Sequence, residues 1–195
     1  MVATADMPWA MLEGREEKLL ERSDGRYTAV VRLAAGATLA IGEGHVDVLV
    51  LAGELDEHAT GTYVREAAPL RLSSNTGCTL FVKQRVEGEV GRRVIDTQRL
   101  DFKPHGHGIG LARLYESDYG NVAVLRFEPG SAIGPHGHQL GEEFFVVSGE
   151  LTDEYGTYRM HTWVRQPPGS THSVRSEAGA VMFVFADHLA NNLIV

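Results

Sequence analysis

Two histidines separated by one glycine, His136-Gly137-His138, are followed by Glu142 and, after the turn-forming run Pro167-Pro168-Gly169, by His172. Side chains at i and i+2 of an extended strand project to one face, so His136 and His138 present two imidazoles to the same space. Glu142 stands across a short turn containing Gly141, and the next strand can carry its carboxylate back toward the pair, with Phe144 and Val146 on the same face. His172 can approach from a further direction. Three imidazoles and a carboxylate suit Zn, Fe, Ni, Mn or Cu, whereas Ca and Mg favour all-oxygen shells. Glu143 is the rival carboxylate, and strand alternation aims the two glutamates to opposite faces. The readings that compete with a reactive centre are a coincidental set of surface polar groups and a closed structural zinc site.

The elements that must position these side chains read as short strands. AVVRLA, VDVLVLA, TLFVK, NVAVLRF, EFFVVS and VMFVFA are runs dense in Val, Phe and Leu, bounded by Gly, Pro, Ser or Asn. Helical periodicity is absent over any long stretch, which predicts an all-β sandwich or barrel. The chain also repeats itself. Gly36 matches Gly130, Gly53-Glu54-Leu55 matches Gly149-Glu150-Leu151, Gly61-Thr62-Tyr63 matches Gly156-Thr157-Tyr158, and TGCTLFV ending at Val82 matches AGAVMFV ending at Val184. Duplication places a boundary near residue 100, giving domains at 27–100 and 101–195 after an N-terminal arm, 1–26. The Gly-rich, charged stretch 86–110 suits a connection. Trp9, Met11 and Leu12 in the arm could dock on the body or on a second subunit, so a homodimer and a monomer are both compatible.

The pattern G-x5-H-x-H-x3-E-x6-G beginning at Gly130, followed by P-x-G-x2-H ending at His172, resembles the two signature motifs of the cupin superfamily. The run GEEFFVVSGELTDEYGTY with QPPGSTH further resembles the cupin domain of ChrR-like anti-sigma factors and the dioxygenase-type cupins grouped with them. The resemblance is strong over 122–184 and weak over 27–82. It implies two tandem double-stranded β-helix (jelly-roll) barrels, with His136, His138, Glu142 and His172 holding one divalent transition metal, Fe(II) or Zn(II) before Ni, Mn or Cu. It selects Glu142 over Glu143. The family's second motif carries a glycine at position 161 and an asparagine at 176, where this chain has His161 and Ser176. The first repeat keeps only His45 and has no Pro-x-Gly-x2-His, so the N-terminal barrel is expected to be metal-free. The zinc-bearing sigma-binding module of the ChrR-like regulators needs two cysteines, and this chain has one.

Composition narrows the function classes. The chain has 195 residues, 43% hydrophobic and 23% charged, with a formal net charge of -8. That acidity argues against nucleic acid, whose binding requires a basic face. No apolar stretch reaches 18 residues, so no membrane partner is expected. Cys78 alone cannot form an internal disulfide, and the N-terminal run shows no secretory pattern, so the expected location is cytoplasmic.

The remaining histidines receive modest expectations: His105 and His107 in a solvated loop, His45 and Asp47 as remnants or surface strand residues, His58 in a polar turn, His161 as a hydrogen-bonded structural group, His188 exposed. Phe127, Phe144, Trp163, Met182 and Val184 are candidate pocket walls. The expected function is a mononuclear non-haem metal dioxygenase acting on a small diketone, hydroxyketone or phenolic compound. The alternatives are a ChrR-like zinc-binding sensor without enzymatic activity and a cupin isomerase or lyase, for which no base stands out.

Overall fold

Both faces of the longest runs are buried: Val46, Val48 and Val50 alternate with Asp47 and Leu49, and all are covered. Such strands lose the clean in-and-out alternation of a half-exposed sheet. The computed structural model describes residues 2–23, 25–88 and 91–189. In chain order its strands are β1 (Val2–Ala3), β2 (Ala10–Leu12), β3 (Arg15–Ser23), β4 (Arg26–Leu33), β5 (Ala37–Ile41), β6 (His45–Leu55), β7 (His58–Ala59), β8 (Thr62–Ala67), β9 (Leu70–Ser74), β10 (Cys78–Arg85) and β11 (Arg93–Asp96). There follow β12 (Lys103–Pro104), β13 (Ile109–Ser117), β14 (Gly120–Phe127), β15 (Ser131–His138), β16 (Glu142–Asp153), β17 (Gly156–Arg159), β18 (Thr162–Gln166), β19 (Ser170–Ser176) and β20 (Ala180–Ala186). No helix of the described residues is long and apolar enough to cross a membrane.

The fold is all-β, in two jelly-roll units: residues 7–100, and residues 1–6 together with 101–195. The first has a sheet ordered β11-β8-β6-β10-β4-β3-β2 with the separate ladder β5-β9; the second has β1-β18-β16-β20-β14-β13-β12, joined through β16 to β17 and β19, with β15 on β19. Within the first unit Val31, Val48, Leu72 and Leu80 belong to one apolar cluster. Within the second, Phe127, Phe144, Val174 and Met182 do the same.

Register shows how closely the units correspond. Val82 pairs with Ala29 and Val48 in the first unit, as Val184 pairs with Ala123 and Phe144 in the second. Strand matching also corrects the alignment by residue type. Gly61 N–H donates to Val50 O at 2.8 Å and His161 N–H to Val146 O at 2.7 Å, so Gly61-Thr62-Tyr63-Val64-Arg65 corresponds to His161-Thr162-Trp163-Val164-Arg165 and not to the stretch at Gly156. Both Gly61 and His161 have positive φ, 88° and 67°. This left-handed conformation is why the resembling family has glycine at the position, and here an imidazole tolerates it.

The expected arm is not a separate element. Residues 15–23 form β3, paired with β4 along its length. REEKLLERS is too charged to read as a strand, yet Glu17 and Lys18 are buried. Trp9 is held against Lys18 and Arg32, whose cationic groups lie 4.6 and 4.1 Å from its ring, while Met11 is 74% exposed on the edge strand β2. The first residues belong elsewhere: Val2 and Ala3 pair with Trp163 and Thr162, as Ile95 and Asp96 pair with Tyr63 and Thr62. Thr4 Oγ1 then donates to His161 O at 2.6 Å, as Thr97 Oγ1 donates to Gly61 O at 2.5 Å. Each barrel thus has an edge strand followed by a threonine clasp, supplied for the first unit by the segment before β12 and for the second by the start of the chain.

Two matched glycines are frame elements. A Cβ at Gly53 would lie 2.3 Å from Gly77 O, and one at Gly149 would lie 2.1 Å from Gly179 O, both at φ near the left-handed region. Gly149→Ala is expected to cost about 3 kcal/mol or more in thermal or denaturant unfolding, because backbone must move as well as strain. Gly130→Ala, with the same φ sign and open space around it, should cost only about 1 kcal/mol. Equal losses in the two variants would show that conformation, not close approach, dominates.

Candidate metal centre

The ladder between β15 and β19 places His136 directly opposite His172, after a register shift between Ile133 and His136. His138 follows on the same face. Its carbonyl accepts the N–H groups of Gly141 at 3.2 Å and Gly169 at 2.8 Å, which ties the turn before Glu142 to the turn before His172. The structure therefore brings together all four expected residues from three strands. The three ring centroids lie 4.6 to 5.1 Å apart, and one ligand-type atom from each histidine lies within 4.8 Å of the others. Glu142 reaches to 3.6 Å from His138 Nδ1 and 4.0 Å from His172 Nε2.

The electrostatics of this cluster would suit a cation. Burial pushes the Glu142 carboxyl up to about 8, with Asp187 adding to the effect. No lysine or arginine reaches it among the described residues. Burial pushes the His138 imidazole down to about 4, with His136 and His172 adding repulsion, and His172 is lowered by burial and His136. All these shifts favour neutral forms, because a buried charge without its partner is costly. The Nε2 atoms of His138 and His172 face one another at 3.0 Å. Without a bound cation that contact requires one of the two to carry a proton. Neutral imidazole nitrogens turned inward beside an unpaired carboxylate fit a borderline divalent metal better than they fit one another.

His136 Nδ1–H donates to Gly134 O at 2.9 Å, which leaves Nε2 as the lone-pair nitrogen. The imidazoles open on a cavity of about 300 Å³ in the barrel interior, walled by Leu125, Ile133, Phe144, Val174, Met182 and Val184. Three of the five candidate wall residues are there, while Phe127 and Trp163 are not. His105 stays exposed in the loop between β12 and β13, as expected, and also borders the cavity. His105 N–H donates to Ile109 O at 2.7 Å, which ties the exposed loop to the start of β13. Among the wall residues that escaped the sequence reading, two are polar, Arg113 and Asn121. Asn121 was legible, since it stands two and four residues before Ala123 and Leu125 on one strand face.

Several other expectations change. His45 and Asp47 are fully buried, on the face of β6 opposite Val46 and Val48. Asp47 accepts from Tyr63 Oη at 2.6 Å and Arg65 at 2.7 Å, and these bonds with Arg65 hold its carboxyl below the usual range against burial. Glu143 does point away from Glu142, but it is also buried, receiving Arg165 Nε at 2.6 Å and lying 3.1 Å from His188 Nε2. Asp47–Arg65 and Glu143–Arg165 are the same pair in the two repeats. His188, expected exposed, is 2% exposed because Glu143 and Phe185 hold it. His161 is stacked on Phe145 at 5.6 Å, away from the cavity. Ser176, in the family's asparagine position, donates to Glu150 O at 2.7 Å, as Ser74 does to Glu54 O in the first unit.

Comparison of register also locates the first repeat's counterpart of the cluster. Glu142 pairs with Ala186, and Val46 pairs with Gln84, two residues beyond the matched Val184 and Val82. Val46 therefore stands where Glu142 stands. It is fully buried in the apolar cluster with Leu39 and Ile41.

A family model described as the ChrR Cupin-like domain matches residues 1–86 and 90–190. No curated protein sequence matches the chain. Among solved structures, a candidate dioxygenase from Nostoc punctiforme aligns with a TM-score of 0.73 at 15% identity, covering 91% of this chain and 75% of that one. A cupin 2 conserved barrel domain protein from Leptotrichia buccalis aligns at 0.67 and 10% identity, covering 95% and 94%. A variant of Bacillus subtilis oxalate decarboxylase aligns at 0.67 and 11% identity, covering 95% and 76%. At these identities the structures share the fold with this chain.

The carboxyl of Glu142 gives a pH test. Its folded value, about 8, lies above its ordinary value of 4.5, so the folded state binds the proton more tightly and stability falls as pH rises between the two. In chelator-treated protein Glu142→Gln is expected to be more stable than the parent at pH 8.5, by about 2–4 kcal/mol, and to differ little at pH 4.5. Thermal unfolding at the two pH values checks this, and a variant less stable at pH 8.5 would contradict it.

Proposed function

The chain belongs to the family of ChrR cupin-like domains, and from that premise we propose that its C-terminal barrel is a mononuclear metal enzyme of the dioxygenase type. The observation that carries the reading is the convergence of His136, His138, His172 and Glu142 on one end of a largely apolar cavity. We take these four as the ligands, Fe(II) as the metal of the active protein and Zn(II) as its commonest competitor. A metal with more than four coordination positions would supply electron transfer to O2 and a site for a bidentate oxygenated substrate.

The chain's own residues do the rest. His136 is aimed by Gly134 O. Glu142 neutralises charge in a place where water is scarce, and Phe144, Met182 and Val184 exclude solvent from the reacting end. Arg113 and Asn121 offer polar groups to substrate oxygens that the cluster does not hold. A cavity of about 300 Å³ with aliphatic walls accommodates a diketone, a hydroxyketone or a small phenol. We assign the N-terminal barrel no metal, since Val46 replaces the carboxylate and apolar residues fill that interior. Met11 on the edge strand suits a homodimer contact, and the free, buried Cys78 suits a reducing cytoplasm.

Metal analysis of protein purified without chelators, followed by O2 consumption on β-diketones and hydroxyacetophenones, tests the proposal. Iron with substrate-dependent uptake is the expected result. Stoichiometric zinc together with no uptake after iron reconstitution would favour a sensor instead. His136→Ala and His172→Ala are each expected to lower bound metal at least tenfold, and normal content in both would refute the ligand assignment.

A further inference from the structure

Asp153 closes β16, and its two carboxylate oxygens do different work. Oδ1 accepts the backbone N–H groups of Tyr155 at 2.7 Å and Gly156 at 3.1 Å, and the Tyr158 hydroxyl at 2.5 Å. These three bonds build the two-residue turn into β17 and need only one oxygen. Oδ2 is left over, and it lies 3.4 Å from Nδ1 of His172. The Asp153 side chain is fully buried and that of His172 is 2% exposed, so no water competes for the contact.

Nδ1 of His172 has a second neighbour, Gln166 Nε2 at 3.3 Å. The two neighbours make opposite demands on the ring. An amide N–H would need Nδ1 as acceptor, which puts the ring proton on Nε2. A carboxylate needs Nδ1–H as donor, which leaves Nε2 bare. A hydrogen bond to a carboxylate is the stronger of the two, and a glutamine amide can rotate to present its oxygen instead. Nε2 is the nitrogen that faces His138 Nε2 and Glu142. On the reading that His172 is a metal ligand, we infer that Asp153 is a positioning residue which fixes the Nδ1–H tautomer of His172 and so keeps its inward nitrogen free to coordinate. Histidine ligands take their geometry and basicity from such outer partners. His136 receives the same service from Gly134 O, so two of the three imidazoles are aimed by acceptors outside the cluster.

The test uses the full chain, metal-free, with 15N-labelled histidine. The expected spectrum gives His172 a protonated Nδ1 and an unprotonated Nε2. Asp153→Asn puts an amide where Oδ2 was, so the proton should move to Nε2 and the affinity for Co(II) should fall about 10–100-fold. Tyr158→Phe removes a bond to Oδ1 only; it should leave the tautomer unchanged and Co(II) affinity within about threefold of the parent, whatever it does to stability. A parent protein with the proton on Nε2 overturns the inference without any variant having to fold. So does Asp153→Asn with parental tautomer and affinity, or Tyr158→Phe that shifts the tautomer. His172→Ala separates the two claims: undiminished Co(II) binding there defeats the ligand assignment itself, whereas its loss beside an unaffected Asp153→Asn defeats only the role of Asp153.

Discussion

The carboxylate of Glu142 is buried in the wall of an apolar cavity with three imidazoles and no arginine or lysine among the described residues to neutralise it. A buried charge of this kind is normally removed by evolution, paired, or neutralised by a proton. The chain does pair charges where it needs them for structure. Asp47 has Arg65, and Glu143, the very next residue to Glu142, has Arg165. The contrast on adjacent positions of one strand separates a structural carboxylate from one held in readiness. Glu142 has no such partner, and burial holds it toward its protonated form beside ring nitrogens that burial and mutual repulsion keep neutral.

Holding such a cluster requires a frame that does not relax to relieve it, and the frame is the part of the duplication most faithfully kept. Gly53 and Gly149 meet the facing backbone at matched points, Ser74 and Ser176 bond matched carbonyls, and Thr97 and Thr4 clasp Gly61 and His161. Interior side chains diverged on top of it. In one copy Val46, Leu39 and Ile41 fill the barrel and gain apolar burial, worth roughly 1.5–3 kcal/mol for each such side chain. In the other, Glu142 and the histidines give that up and leave a cavity. The two barrels differ in what occupies one end of the interior: apolar side chains in one, a carboxyl and three imidazoles in the other.

The clustering of His136, His138, Glu142 and His172 was legible because it is local: an i, i+2 pair, a carboxylate one turn away and a third histidine after a Pro-Gly turn need only strand geometry to converge. The strands of highest β-branched content were legible for the same reason. What escaped depends on register. β3 hides in REEKLLERS because its partners, not its own residues, supply the apolar surface. His45, Asp47, Glu143 and His188 looked like surface groups, since a sequence does not show that both faces of β6 and β16 are covered. The repeat itself was found but slipped by an element, because Gly-Thr-Tyr occurs in both copies at places that are not equivalent; only the hydrogen bonds from Gly61 and His161 to matched valines set it right.

That slip bears on the chemistry. Aligned by residue type, Tyr158 is the twin of Tyr63, whose hydroxyl serves the buried Asp47. Aligned by strand, the twin of Tyr63 is Trp163, and Tyr158 is free to serve a different carboxylate. It binds Asp153, on a hairpin that the first repeat reduces to the two-residue strand β7. The longer β16–β17 hairpin thus exists in the copy that has the histidines, and it delivers the carboxylate that meets His172. An extension of this hairpin by a few residues, in the stretch between the two histidine-bearing motifs, is the element that gives the third imidazole an outer partner.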